Sequence, residues 1–218
     1  MKTSKNKKPK PKREPSGYIY AEEKPAWLEW LVPEKFYDAD LFRIVVFFVF
    51  HSPCIGSTTN PKPPSAMGKP VSKYGWSEKW GNYRNPKSLN HILRSASTNF
   101  TLIYSATGNN DMQQACKKAG LLTDFPTDVG LECAAISPSD QNQFLSLFRH
   151  IRNAFSHSRL NMRELSDGDL LFIFEDVAIN KKPEGTPVSA RIKLRKSTLL
   201  KWINIIEAGP QSGDTEDK

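Results

Sequence analysis

The chain has 218 residues, of which 38% are hydrophobic and 25% charged, with a formal net charge of +8; this suits one domain with a real core and excludes fibrous, low-complexity and membrane-embedded classes. The longest apolar run, residues 44–50, is far shorter than the roughly 20 residues a membrane-spanning helix needs, and the basic start leads into prolines, so neither a secretory signal nor a membrane anchor is expected and the expected location is cytoplasmic. Cys54, Cys116 and Cys133 are odd in number and lack a CxxC pair, which points to free thiols in a reducing compartment and supplies no metal-ligand set, so no metal and no cofactor is expected.

In chain order, residues 1–17 come first, with seven Lys and Arg against one Glu, so this arm supplies +6 of the charge and the body that follows is only mildly basic. Prolines and the lack of apolar residues read as a disordered basic tail, which either grips nucleic acid nonspecifically or only solubilises. Residues 18–209 read as one domain. Within 18–32, Trp27, Leu28, Trp30 and Leu31 form an aromatic clamp over the body before Pro33. Residues 38–51 carry Leu41, Phe42, Ile44, Val45, Val46, Phe47, Phe48, Val49 and Phe50 in near succession, a segment buried on most sides. Its β-branched content favours a strand and its length a central helix; the reading taken is helix. Residues 52–85, dense in Pro and Gly, read as an insertion loop. There Tyr74, Trp76, Trp80 and Tyr83 are interleaved with Lys73, Lys79 and Arg84, which fits either a base-stacking surface or a lid anchored by aromatic burial.

Asn85-Pro86 offers an N-cap followed by proline at the first helical position, and Leu89, Ile92, Leu93, Ala96, Phe100 and Ile103 recur at helical spacing up to Gly108. Residues 110–119 form the next helix, with Met112, Ala115, Cys116 and Ala119 on one face and Gly120 as its stop. After an irregular stretch, Ser137-Pro138 repeats the cap-and-proline start of a further helix. Helix following helix predicts a mainly α fold, an antiparallel helical bundle. Past Leu160 the period changes to two. Leu170–Val177 reads as a strand, and Val188, Ala190, Ile192 and Leu194 alternate with polar residues beyond a loop containing Gly185, giving a C-terminal β-hairpin. Ser197 can cap a closing helix through Leu199, Leu200, Trp202, Ile203 and Ile206, ended by Gly209-Pro210, and residues 210–218 read as a disordered tail.

The helix launched near Ser137 carries the most chemistry. At about 100° per residue, Phe144, Phe148, Ile151 and Phe155 fall within about 60° of one another. Arg149, His150, Arg152, Asn153, Ser156 and His157 fill the opposite arc. One stripe is core and the other is open to a ligand. Guanidinium, amide and imidazole on one open helix face suit the gripping of a phosphodiester and the movement of protons around it. His51 and His91 have no such company and read as structural.

Arg152-Asn153-Ala154-Phe155-Ser156-His157 resembles the ribonuclease signature of the HEPN superfamily, in which an Arg is followed by a polar residue and, four to six residues after the Arg, by a His. The wider string from Phe148 to His157, followed by a hairpin and a Trp-containing closing helix, resembles a bacterial and plasmid-borne branch of that superfamily. The likeness extends over residues 38–209, but only the motif is specific. It implies a HEPN-like helical bundle, a homodimer with motif helices side by side, and a metal-independent endoribonuclease of the toxin or defence type. Arg152, His157 and Asn153 are then the catalytic residues, with Arg149, His150 and Arg159 flanking them for substrate binding. Arg159 stands where HEPN toxins paired with nucleotidyltransferase antitoxins usually carry a Tyr, which disfavours a tyrosine-modifying partner; an antitoxin or regulatory partner of another kind stays open.

RNA carries its own nucleophile, so cleavage without a metal needs a base near the 2′-hydroxyl, an acid near the departing 5′-oxygen and positive charge around the phosphate. His157 suits the proton transfers. Arg152 offers forked donors to the phosphate oxygens, and Asn153 can orient the imidazole or contact the phosphate. The expected partner is an RNA substrate, cut to 2′,3′-cyclic phosphate and 5′-hydroxyl ends. Two other functions fit the same residues: a noncatalytic RNA- or nucleotide-binding module, and a helical protein-interaction module that docks a partner on the polar face.

Overall fold

The apolar runs of the chain sort onto the two sides of one sheet. The computed structural model describes residues 17–29, 34–53, 71–77, 84–97, 99–104, 108–122, 131–139, 142–178 and 182–210. Strands β1 (Phe100–Tyr104), β2 (Glu132–Ile136), β3 (Leu160–Glu164), β4 (Leu170–Val177) and β5 (Val188–Arg195) form a five-stranded sheet in the order β1-β2-β5-β4-β3. β1 and β2 run parallel, and all other neighbours are antiparallel. The α-helices among the described residues are α1 (Ala39–Val46), α2 (Leu89–Ser95), α3 (Met112–Ala119), α4 (Gln143–Ser156) and α5 (Lys196–Ala208). α3 is the crossover between the parallel strands and packs on one face with Trp27, while α1, α2, α4 and α5 build the larger cluster on the other.

The expected mainly α antiparallel bundle is therefore wrong, and the fold is a mixed sheet covered on both faces. The error has two sources. Leu89–Ser95 are helical, but Phe100–Tyr104 leave the helix and pair in register with Glu132–Ile136. Phe100 and Ile103 continued the helical spacing by coincidence, and pairing of a β-branched and aromatic segment with β2 overrides it. β2, read as irregular, is buried at every position: Ala134 and Ile136 face the larger cluster, Cys133 and Ala135 the smaller. A strand buried on both faces shows no alternation to find. The hairpin of β4 and β5 is present, but it lies at the centre of the sheet and is no appendage.

Helix ends also differ in detail. α2 starts from Ser88, whose side chain accepts the His91 N–H, and not from Asn85. α1 is capped by Asp38, accepting from Leu41 N–H at 2.8 Å, and continues as a π-helical turn, Phe47–His51. That turn puts the consecutive Phe47 and Phe48 both inside; Phe48 meets Phe148 edge-on at 5.4 Å. α3 ends at Gly120 in the left-handed conformation, φ 69°, as the sequence indicates.

Of the aromatic clamp, Trp27 is buried, and the Asn161 side chain donates to the carbonyls of Trp27 at 2.8 Å and Leu28 at 3.1 Å. Trp30 and Leu31 lie outside the described residues. In the insertion, Tyr74 donates to the His51 carbonyl at 3.0 Å and Trp76 to the Ile206 carbonyl at 3.0 Å, so these two anchor the loop to the body. Lys79, Trp80, Tyr83 and both tails, 1–16 and 211–218, lie outside the described residues. No described helix is long and apolar enough to cross a membrane.

α5 begins at Lys196 with no cap from its own side chains, and Ser197 does not serve. Buried Glu132 takes that role from β2: Oε1 accepts the Arg195 N–H at 2.7 Å and Oε2 the Thr198 hydroxyl at 2.9 Å. Burial, outweighing these two hydrogen bonds, holds its carboxyl above the usual range. A raised acid favours the folded state when protonated, so this contribution is complete below the unfolded glutamate range and is lost as pH rises through the folded value. Glu132→Gln keeps the acceptor for Arg195 and removes the charge. It is expected to melt above the wild type at neutral pH, with the difference vanishing towards pH 4, as read by thermal denaturation across pH.

Candidate functional site

α4 positions every residue the motif singled out. Its start is Asn142, whose side chain accepts the Leu145 N–H at 3.0 Å, and not Ser137, whose N–H is spent on the Ser189 carbonyl as β2 leaves the sheet. Phe144, Leu147, Phe148, Ile151 and Ala154 are buried, and Phe155 packs on the same cluster against Phe174 at 5.4 Å. At its end the Arg159 N–H reaches the Ala154 carbonyl at 2.9 Å and the Ser158 N–H the Phe155 carbonyl at 3.2 Å. This closure puts Ser158 at φ 53°, a left-handed residue that is not glycine. β3 then starts at Leu160.

The segment after β2 is stapled to α4 by three side chains. Ser146 Oγ accepts the Ser139 N–H at 3.2 Å, Arg149 donates to the Ser139 carbonyl at 2.8 Å, and His150 Nε2 meets the Ser137 carbonyl at 2.7 Å. His150 is thus not on the open arc; it is 4% exposed, with Nδ1 2.6 Å from Asp176 Oδ2 on β4. Both its nitrogens face oxygen acceptors, an arrangement that a doubly protonated ring satisfies; in that form it makes a buried ion pair with Asp176 under the helix. The wheel misplaces it because His150 sits at the border of the apolar stripe, where a buried acceptor decides the side.

Arg159 is likewise engaged. Its guanidinium pairs with Glu175 and donates to the Glu22 carbonyl at 3.1 Å, while Arg191 donates to the other Glu175 oxygen at 2.9 Å and to the carbonyls of Leu121 and Leu122. This Arg-Glu-Arg set ties the turn before β3 to β4, β5 and the segment after α3, on the sheet face away from α4, and leaves Arg159 no free donor fork for a substrate.

Three groups stay on the open side of α4. Arg152 is half-buried, and its guanidinium makes no hydrogen bond or ion pair among the described residues. His157 is exposed at the helix end. Asn153 lies between Arg149 and His157 on one row of positions four apart, and donates from Nδ2 to Asp176 Oδ2 at 3.1 Å. Arg152 and His157 are separated by about 7.5 Å along the helix axis, from the rise per residue. Ser156 donates to the Arg152 carbonyl at 3.0 Å. Arg152, Asn153 and His157 therefore all lie off the apolar stripe of α4, with Arg152 and His157 about 140° apart around the helix axis from five steps of about 100° each; Arg149 lies between them, and His150 and Arg159 belong to the framework.

Asp176 is the residue that sequence reasoning missed. Its signal was two consecutive acids closing an otherwise apolar strand, Leu-Leu-Phe-Ile-Phe-Glu-Asp-Val. Both are buried, and alternation sends Glu175 to one face and Asp176 to the other, so each needs its own donors.

Other chemistry is sparse. Burial pushes the Cys116 thiol up to about 12 and raises Cys133 as well, so neither is a nucleophile. Among the described residues no group of three or more His, Cys, Asp or Glu could hold a metal ion. A cavity of about 310 Å3 lined by Ser97, Asn99, Glu132, Ser197, Thr198 and Lys201 lies at the opposite end of β2 from α4's staple. No family model, no curated protein and no solved structure matches the chain.

His150→Ala strands Asp176 as a buried carboxylate without its cation and is expected to cost about 3 kcal/mol, whereas exposed His157→Ala stays within about 0.5 kcal/mol of the wild type; chemical denaturation separates the two. Ser158→Gly relieves the left-handed strain and is expected to stabilise by about 1 kcal/mol in the same assay.

Proposed function

We propose that the protein is a metal-independent endoribonuclease working from the open side of α4. The observation that carries this reading is the placement of a guanidinium without a partner among the described residues, Arg152, an amide, Asn153, and an exposed imidazole, His157, on a helix whose other side is fully committed to the core. The HEPN likeness contributes the motif and nothing of the surrounding fold.

In this mechanism Arg152 holds the non-bridging oxygens of the phosphate and stabilises their developing charge. His157 removes the proton of the ribose 2′-hydroxyl, the 2′-oxygen bonds to phosphorus, and the bond to the 5′-oxygen breaks. The leaving oxygen takes a proton from an acid, leaving a 2′,3′-cyclic phosphate and a 5′-hydroxyl. His150 is sealed against Asp176 and Ser137, so α4 offers one accessible imidazole. We therefore assign the acid to His157 of a second copy, in a homodimer with two α4 helices facing each other. A toxin or defence effector held in check by a protein partner is the biological role proposed with it. The single imidazole also favours a second reading, a noncatalytic RNA-binding surface.

Purified protein is expected to degrade RNA in EDTA and to spare DNA, which lacks the nucleophile. His157→Ala and Arg152→Ala are each expected to lower the rate by about a hundredfold or more without loss of the fold, and activity is expected to fall faster than protein concentration on dilution. RNA binding without cleavage under any condition would select the second reading, and unchanged cleavage by His157→Ala would end the first.

A further inference from the structure

We infer that Asp176 is a positioning residue for His157, acting through Asn153; this rests on the nuclease reading. Asp176 is 2% exposed, and three N–H groups surround its carboxylate. Oδ2 accepts from His150 Nδ1 at 2.6 Å and from Asn153 Nδ2 at 3.1 Å, and Oδ1 accepts from its neighbour Val177 N–H at 2.9 Å. A carboxylate has no proton to give, so the Asn153 amide can only turn its nitrogen towards it. The other end is thereby fixed. Oδ1 of Asn153 is the acceptor left over, and it has no partner among the described residues.

Asn153 and His157 are four residues apart on one helix row, with side-chain roots about 5–6 Å from each other. The two side chains make no hydrogen bond in the structure; the helix spacing lets rotation of the exposed His157 ring bring an imidazole N–H to that amide oxygen. A general base acts through its unprotonated nitrogen, and an acceptor that takes the N–H of the other nitrogen selects the tautomer with the useful lone pair free. Asp176 orients the amide, the amide orients the ring, and the ring meets the 2′-hydroxyl. Asp176 touches no reacting atom.

Replacement by the isosteric amide reverses the polarity of this relay. In Asp176→Asn the new Nδ2 can donate to Asn153 Oδ1, which turns the Asn153 amide round and points a donor at His157. The expected result with an RNA oligonucleotide is a kcat about tenfold to a hundredfold lower with KM within about twofold. Asn153→Ala is expected to show the same loss, and the double variant no further loss. His150→Gln breaks the other arm of the carboxylate, and is expected to lose stability while kept within about threefold in kcat, which separates positioning from general weakening. Losses that multiply in the double variant, or a kcat loss in His150→Gln as large as in Asp176→Asn, overturn the inference. A readout independent of cleavage is the Asn153 side-chain amide in 15N-labelled protein: slow proton exchange in the wild type and fast exchange in Asp176→Asn are expected. Identical amide signals in the two proteins overturn the positioning role alone, whereas a wild type that cleaves no RNA overturns the nuclease reading.

Discussion

A helix lying on a sheet must commit one side to contact, and in this protein a single buried carboxylate settles which side. Asp176, at the end of a central strand, draws His150 inward and takes a hydrogen from Asn153, while the other nitrogen of His150 ties the exit from β2 to the same helix. The apolar stripe from Phe144 to Phe155 would tolerate some rotation about the helix axis, since aromatic clusters adapt. Two short hydrogen bonds from one imidazole do not. Rotation would leave a buried charge unpaired, at a cost of several kcal/mol, so the outward set of Arg152, Asn153 and His157 follows from what is locked inward.

The second acidic position of the same strand does the complementary work. Glu175 faces the other side of β4, where Arg159 and Arg191 converge on it and Arg191 reaches on to the carbonyls of Leu121 and Leu122. One dipeptide thus anchors both layers to the centre of the sheet. The chain between them is short: α4 ends, Ser158 adopts its left-handed turn, and Arg159 is already in the framework. His157 sits at the junction, exposed yet between two fixed points, which is a suitable place for a group that must be both accessible and held.

Periodicity found the elements that have one wet side. α3 with its glycine stop and the apolar stripe of α4 were legible, because contrast between buried and exposed positions is what a pattern records, whereas the strand Leu170–Val177, buried on both faces, was legible as a short continuous apolar run. It failed where contrast is absent. β2 is covered on both faces, and β1 borrowed the spacing of the helix before it, so a parallel pair that defines the architecture was read as a helix and a loop. Start signals failed for a related reason: Asn85-Pro86 and Ser137-Pro138 are good local caps, but Ser88 and Asn142 stand nearer the first residues that pack.

The sequence alone determined the composition of the candidate site: an Arg, an Asn and a His at fixed spacing on a helix with an apolar back, since covalent order and helical pitch require nothing else. It could not determine that His150, in the middle of that set, turns inward, nor that Arg159 is consumed by Glu175, because both depend on acidic residues from a strand some 16 to 26 positions away in the chain. The sheet itself was decided in the same way. A strand is stable only against its neighbours, and which neighbours meet is a property of the packed chain and of no local segment.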